Sequence, residues 1–191
     1  MKKALLILDI QNDYISDQAR LPIAKQQMQS TISCINVLIQ KAREQGIPIV
    51  YIRNEFEQTQ ISNLFRKFTA LKGTKGAEFD ERLVMVDGAY FSKNKADAFS
   101  NPDLATYLSQ QKINELIVTG VFVEGCVNAT VNGALARNFK VIVVDDAVGG
   151  ATDKSKAAAL LKLAKKDVLI CTSQRILGRE EVEIDTFTTL D

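Results

Sequence analysis

Short apolar runs alternate with longer amphipathic stretches along most of the chain. The runs are apolar at nearly every position, which is typical of strands that are covered on both faces in a parallel sheet. The predicted strands are residues 4–8, 47–52, 116–119, 141–144 and 168–170.

The stretches between these runs carry helix signals. In residues 24–45, apolar side chains recur every three or four positions, and Gly46 follows directly, as is common just past a helix end. Asn101 and Pro102 predict the start of a helix that runs to about residue 111. Thr152 or Asp153 is predicted to cap a further helix that ends near residue 166. This alternation predicts an α/β fold in three layers, with a mostly parallel, Rossmann-like sheet of about six strands.

Residues 55–90 are less regular than the rest of the chain. They predict a short helix at 63–70, a turn at 73–76 and a possible strand at 83–86. We expect this excursion to lie near the carboxyl ends of the strands, where such folds bind their ligands. The length of 191 residues favours a single domain over residues 1–191.

Composition excludes several classes of function. The chain has no histidine, which rules out Ser-His-Asp and Cys-His catalysis and a His-Glu-x-x-His zinc site. The formal net charge is +1, so nothing predicts binding to nucleic acid or to a membrane surface. The apolar runs are too short to span a bilayer, and the three cysteines match no disulfide framework. We therefore expect a cytoplasmic protein that acts on a small molecule.

Three residues could carry chemistry, each with a plain structural alternative. Asp9 directly follows the first predicted strand. Its carboxylate either reaches the ligand crevice at the carboxyl edge of the sheet or only caps the following turn. Cys126 follows the predicted strand at 116–119, where a helix begins. A helix N-terminus lowers a thiol pKa, although Cys126 could also be a small buried side chain. Lys93 is a surface charge unless it reaches Asp9, in which case the pair could replace the missing histidine. Cys34 and Cys171 are interpreted as structural.

Three segments together resemble the isochorismatase-like cysteine hydrolases. Residues 9–14 read Asp-Ile-Gln-Asn-Asp-Tyr, similar to the family motif D-x-Q-N-D-F/Y. Residues 93–99 match the lysine segment K-x-x-x-x-A-F, which selects Lys93 over Lys95. Residues 120–127 match the nucleophile motif G-V-x-x-x-x-C-V. The three motifs occur in the right order, and the resemblance runs from residue 4 to about residue 173.

The resemblance implies a triad of Cys126 as nucleophile, Asp9 as general base and Lys93 as third member. It also implies a cis peptide bond between Val121 and Phe122, with the Phe122 and Cys126 amides forming an oxyanion hole. The implied reaction is attack of the thiolate on a carbonyl, loss of ammonia or an amine, and hydrolysis of a thioester.

The sequence departs from the nicotinamidases of the family, which bind a divalent metal through an Asp and several His residues. Asn54 stands at that Asp position and no histidine exists, so the resemblance implies the metal-independent branch, with no metal or cofactor. Main alternatives are an isochorismatase-type vinyl-ether hydrolase and a non-catalytic scaffold or thiol redox sensor. Family members are commonly oligomers, so we expect a homo-oligomer. Expected substrate-binding residues are Tyr14, Asn54, Phe56 and Phe99, with Phe65 as a further candidate.

Overall fold

The central feature is a sheet of six parallel strands in the order β3-β2-β1-β4-β5-β6. The computed structural model describes residues 1–59 and 63–177. Branched aliphatic residues dominate the central strands, and β4 is buried at all of its positions, as expected for a strand covered on both faces. The predicted α/β class and parallel sheet are confirmed. The strands are β1 (Lys3–Leu8), β2 (Ile49–Asn54), β3 (Ala89–Lys93), β4 (Glu115–Val121), β5 (Lys140–Gly149) and β6 (Val168–Cys171).

Helices cover both faces of the sheet and give the three predicted layers. One core cluster packs α2 and α6 against one face, and a second packs α3, α4 and α5 against the other. The helix-start signals hold, since Asn101 accepts from the Asp103 amide and Thr152 forms a capping box with Ser155. The helices are α1 (Asn12–Ile15), α2 (Lys25–Glu44), α3 (Pro102–Gln110), α4 (Asn128–Leu135), α5 (Asp153–Ala164) and α6 (Ser173–Leu177).

The third strand is not where the sequence predicted it. Residues 83–86 form no strand, and β3 is Ala89–Lys93 instead. β3 lies at the edge of the sheet, and its burial alternates between half-buried and exposed until Lys93. An edge strand with one wet face lacks a continuous apolar run, so the pattern used for the central strands could not detect it.

The predicted helix at residues 63–70 is also wrong. This segment is a series of turns, and Lys67, Phe68 and Ala70 have positive φ angles of 53°, 55° and 50°. Such left-handed residues are incompatible with a right-handed helix. Further along, a short 3₁₀ turn at Lys75–Ala77 follows the predicted turn at 73–76.

The strand order reverses between β1 and β4, which places the ligand crevice of such a sheet outside their carboxyl ends. Asp9 follows β1, and Phe122 follows β4. Asn54 and Lys93 are the last residues of β2 and β3, so four neighbouring strands bring these residues to one edge. Across the described ranges, the helices are all too short or too polar to cross a membrane.

Candidate active site

Asp9 and Lys93 form a buried ion pair. Lys93 Nζ lies 2.9 Å from Asp9 Oδ2, and the two residues are 1% and 4% exposed, Asp9 being the more buried. The second carboxylate oxygen, Asp9 Oδ1, is buried without a hydrogen-bond partner among the described residues. Burial alone would lower the pKa of Lys93, but the negative charge of Asp9 and the hydrogen bond to it outweigh burial and raise that pKa. Lys93 therefore reaches Asp9, which is the condition under which the sequence analysis considered it for a chemical role.

Cys126 lies in a tight turn between β4 and α4. Val123–Val127 form one π-helical turn, closed by a 3.1 Å hydrogen bond from the Val127 amide to the Phe122 carbonyl. Asn54 bridges this turn to the ion pair: its Oδ1 accepts from Lys93 Nζ at 2.7 Å, and its Nδ2 lies 3.6 Å from Cys126 Sγ. The structure thus brings the three predicted triad members together, with Asn54 among them.

The predicted low thiol pKa is wrong. Burial first, and then the negative charge of Asp9, raise the pKa of Cys126 to about 12, while Lys93 and the hydrogen bond from Asn54 act in the opposite direction. The π-helical turn runs directly into α4, so a helical segment does begin near Cys126 as predicted, but burial and Asp9 raise the thiol pKa there. Cys126 therefore rests as a neutral thiol beside the ion pair of Asp9 and Lys93.

A cavity of about 190 Å³ opens beside this group. Asp9, Asn54 and Cys126 line it, and so do the predicted Tyr14 and Phe56. The remaining lining residues are Leu21, Arg66, Thr69, Ala96, Val121 and Phe122.

Two predicted pocket residues lie elsewhere. Phe99 belongs to the core on the side of α3, α4 and α5, where it stacks on Phe139 at 5.7 Å and lies under the Arg137 guanidinium. The 3₁₀ turn Ala98–Ser100 directs the chain away from the cavity after Lys93. Phe65 is 87% exposed and does not line the cavity. Proximity along the sequence to Lys93 was misleading for Phe99.

Tyr14 closes one wall of the cavity and stays neutral. Its ring packs edge-on against Phe122, with centroids 5.7 Å apart. Burial first, and then the charge of Asp9, raise its pKa well above the ordinary value for tyrosine. Its phenol therefore contributes shape and a hydrogen-bonding group, rather than a base.

Sequence reasoning missed Arg66 and Thr69 as cavity residues. Both lie in the irregular excursion, and the Arg66 guanidinium stacks on the Phe56 ring at 4.0 Å from its centroid. The excursion is held against the site by Gln11 and Asp13: Gln11 Nε2 donates to the Ala77 carbonyl, and Asp13 accepts from the Ala70 amide. These two motif residues shape the loop.

The Val121–Phe122 peptide bond is cis, at the position that the resemblance implied. Within residues 1–59 and 63–177, the Phe122 amide has no hydrogen-bond acceptor. It therefore remains available to a ligand in the cavity that Phe122 lines.

The described residues contain no group of three or more His, Cys, Asp or Glu side chains that could hold a metal ion. Asn54, at the position of the nicotinamidase metal ligand, is engaged with Lys93 and Cys126. Independence from metal stays a prediction, which chelation can test.

Comparison with known proteins identifies the family of the chain. A family model described as the isochorismatase domain matches residues 3–175, and the chain belongs to that family. N-carbamoylsarcosine amidase from Arthrobacter sp. is 28% identical over 159 residues, which cover 78% of this chain but only 60% of the amidase. A solved isochorismatase-like hydrolase from Alkaliphilus metalliredigens superimposes with a TM-score of 0.88 at 25% identity, covering 95% of this chain and 100% of the other.

The comparisons do not show whether this chain belongs with the nicotinamidases of the family or with its metal-independent branch. A probable inactive nicotinamidase of Arabidopsis thaliana, At3g16190, is 28% identical over 172 residues, covering 84% of this chain and 87% of the relative. The exclusion of nicotinamidase activity therefore rests on the residues of this chain and stays a prediction.

Proposed function

We propose that the protein is a cysteine hydrolase that cleaves a carbon–nitrogen bond of a small amide or ureido compound through a thioester, without a metal. The observation that carries this proposal is the buried contact of Lys93 with Asp9 beside the Cys126 thiol, at the wall of a small cavity. Membership of the isochorismatase family and the similarity to an amidase support it.

The two oxygens of Asp9 have different tasks in this reaction. Oδ2 is engaged by Lys93, which fixes the carboxylate, whereas the unpartnered Oδ1 accepts the proton of the Cys126 thiol. Because the pKa of Cys126 is raised to about 12, the thiol loses its proton as it attacks, and no stable thiolate precedes the substrate. Lys93 keeps its charge and holds the site neutral as the negative charge moves from oxygen to sulfur.

Each bond change then has a partner in the site. The Cys126 sulfur bonds to the carbonyl carbon, and the resulting oxyanion accepts from the Phe122 and Cys126 amides. The carbon–nitrogen bond breaks as Asp9 returns its proton to the leaving nitrogen. A water molecule, deprotonated by Asp9, then attacks the thioester, releasing the acid and restoring the thiol.

The raised thiol pKa disfavours a redox sensor. A peroxide-sensing cysteine reacts as an accessible thiolate, whereas Cys126 is held as a neutral thiol by burial and by Asp9.

An isochorismatase-type hydrolase would have to accommodate a dicarboxylate. The described residues that line the cavity of about 190 Å³ include one cation, Arg66, and not the pair of cations that two carboxylates would call for, which favours an uncharged or singly charged amide. We therefore place the vinyl-ether reaction second.

The test is a panel of small amides and ureido compounds, in matched neutral and monocarboxylate pairs, assayed for released ammonia or amine. We expect turnover of at least one neutral or monocarboxylate compound, and we expect the Cys126→Ala variant to lose it completely while its melting temperature stays nearly unchanged. Hydrolysis retained by Cys126→Ala would refute the nucleophile assignment. Turnover of isochorismate but of no amide would replace the reaction by the vinyl-ether alternative.

A further inference from the structure

Asn54 makes two contacts that go beyond lining the cavity. It ends β2, is 2% exposed, and sits between Lys93 and Cys126. Its carboxamide oxygen lies 2.7 Å from Lys93 Nζ, and its nitrogen lies 3.6 Å from Cys126 Sγ. The side chain therefore connects the cation of the site to the sulfur atom.

Chemistry fixes which end of the carboxamide faces the sulfur. An ammonium group only donates hydrogen bonds, so the atom next to Lys93 Nζ must be the oxygen. The NH₂ group is then directed toward Cys126, independently of how similar the two ends of an amide look. With the oxygen toward a cation and the NH₂ toward sulfur, the amide dipole opposes any reorientation.

The backbone of Asn54 is held as firmly as its side chain. The fully buried Gln11 accepts from the Asn54 amide at 2.8 Å and donates to the Asn54 carbonyl at 2.8 Å. A third hydrogen bond of 2.7 Å joins Gln11 to the Ala77 carbonyl, so the excursion is tied to the same point. This support keeps the Asn54 donor in place before a substrate arrives, as preorganised electrostatic stabilisation requires.

We propose that Asn54 is a further catalytic residue, whose NH₂ group, oriented by Lys93, donates a hydrogen bond to the Cys126 sulfur as it becomes a thiolate. A neutral thiol is a weak acceptor, whereas a thiolate is a strong one, so this bond strengthens as the proton leaves. Asn54 thus stabilises the reacting state more than the resting state. The hydrogen bond acts on the pKa of Cys126 in the same direction, opposing burial and Asp9.

This inference rests on the proposed function for its catalytic meaning, but its test does not require turnover. The test is the rate of alkylation of Cys126 by iodoacetamide between about pH 6 and 10, resolved by peptide mass mapping. This range lies below the raised pKa of the Cys126 thiol, so the rate is proportional to the small fraction of thiolate. We compare Asn54→Asp, which keeps an oxygen facing Lys93 but replaces the donor by a negative oxygen, with Asn54→Ala, which removes the side chain. Asn94→Asp adds the same charge at an exposed position beside Lys93 and serves as the matched control.

We expect alkylation of Cys126 at about pH 8 to fall by about tenfold or more in Asn54→Asp, the factor that corresponds to one pKa unit. Asn54→Ala should show a smaller decrease, and Asn94→Asp should behave as the original protein. The partly exposed Cys34, which donates to Ser173, should keep its own pH profile in all variants and calibrates the measurement. On any amide that is turned over, kcat should fall more than KM rises.

Unchanged alkylation profiles in both Asn54 variants, with melting temperatures near the original, would overturn the proposal and leave Asn54 as a structural residue. An increase of KM at unchanged kcat and unchanged alkylation would show a substrate contact instead, which also overturns it. If Asn54→Asp does not fold, Asn54→Ala decides between these outcomes. Absence of hydrolysis in every protein, combined with the expected alkylation shift, would refute the proposed function and leave the thiolate contact standing.

Discussion

Asp9 and Lys93 are almost completely removed from water, and each is the ion-pair partner of the other. Desolvation of two isolated charges costs several kcal/mol per ion, which their contact at 2.9 Å and the Asn54 oxygen offset. Removing one partner leaves an uncompensated buried charge, whereas removing both charges leaves a neutral site. The pair therefore affects stability and activity in separable ways.

Replacing Lys93 by Met should destabilise the protein by about 3–5 kcal/mol, because Asp9 is left charged and unpaired in the interior. Combining Lys93→Met with Asp9→Asn should recover most of that loss, since no buried charge remains. Neither variant should hydrolyse substrate. Urea denaturation and the hydrolysis assay check the two expectations, with the exposed Lys95→Met as control. Normal activity in Lys93→Met would remove Lys93 from the mechanism.

That Asp9, Lys93 and Cys126 meet could be predicted only from the resemblance of their three motifs to a family, since their spacing along the chain does not show it. The ionisation of Cys126 could not be predicted, since it depends on the burial and on the position of a charge that lies far away in the chain. Phe99 was misplaced for a related reason: a single 3₁₀ turn decides which side of the sheet it faces. Motifs thus identify which residues meet at a site better than they identify the burial and the charges around each residue.

At the scale of elements, the site depends on how closely β1 and β4 approach each other before their loops diverge. Gly120 pairs with Leu8 and has a φ angle of 114°. A Cβ atom at Gly120 would overlap the Leu8 carbonyl oxygen, so no other residue fits without moving a strand. The next residues of the two strands lead to Asp9 and to Cys126.

Gly120→Ala should therefore reduce both stability and hydrolysis, because the Leu8 backbone must shift and carry Asp9 with it. Gly46→Ala is the matched control: Gly46 also has a positive φ angle, of 64°, but a Cβ added there would meet no atom within 4 Å. The free energy of unfolding of this control should fall by about 1–2 kcal/mol, because of the strained backbone alone. The control should keep its activity. The larger loss expected for Gly120→Ala is measured by thermal unfolding, and an equal loss in the two variants would show that contact with Leu8 is unimportant.

The elements themselves were predictable in proportion to how completely they are buried. Continuous apolar runs predicted five of the strands, and caps at Asn101 and Thr152 predicted two helix starts. The edge strand β3 and the turns at 63–70 were missed, because their conformations depend on neighbours that the local pattern does not contain. The excursion around the cavity is therefore the part of the fold about which the sequence says least.

At the scale of the whole molecule, the composition constrains the chemistry more than any single contact does. The complete chain has no histidine, and the described residues form no cluster of acidic or thiol groups suited to a metal. In the proposed reaction, the positive charge beside the reacting carboxylate comes from Lys93, which contacts both Asp9 and Asn54. A lysine cannot be removed by a chelator, and this separates the two branches of the family experimentally.

Treatment with EDTA followed by buffer exchange should leave hydrolysis unchanged, because each proposed proton transfer and charge contact uses a side chain or a backbone amide of the chain. The measurement is the initial rate on the best substrate of the amide panel before and after chelation, with zinc or manganese added back in a parallel sample. A strong loss of rate that either metal restores would contradict the proposal and assign the protein to the metal-dependent branch. A loss that no metal restores, accompanied by a lower melting temperature, would instead indicate damage during treatment, and the wild-type rate after dialysis alone identifies that case.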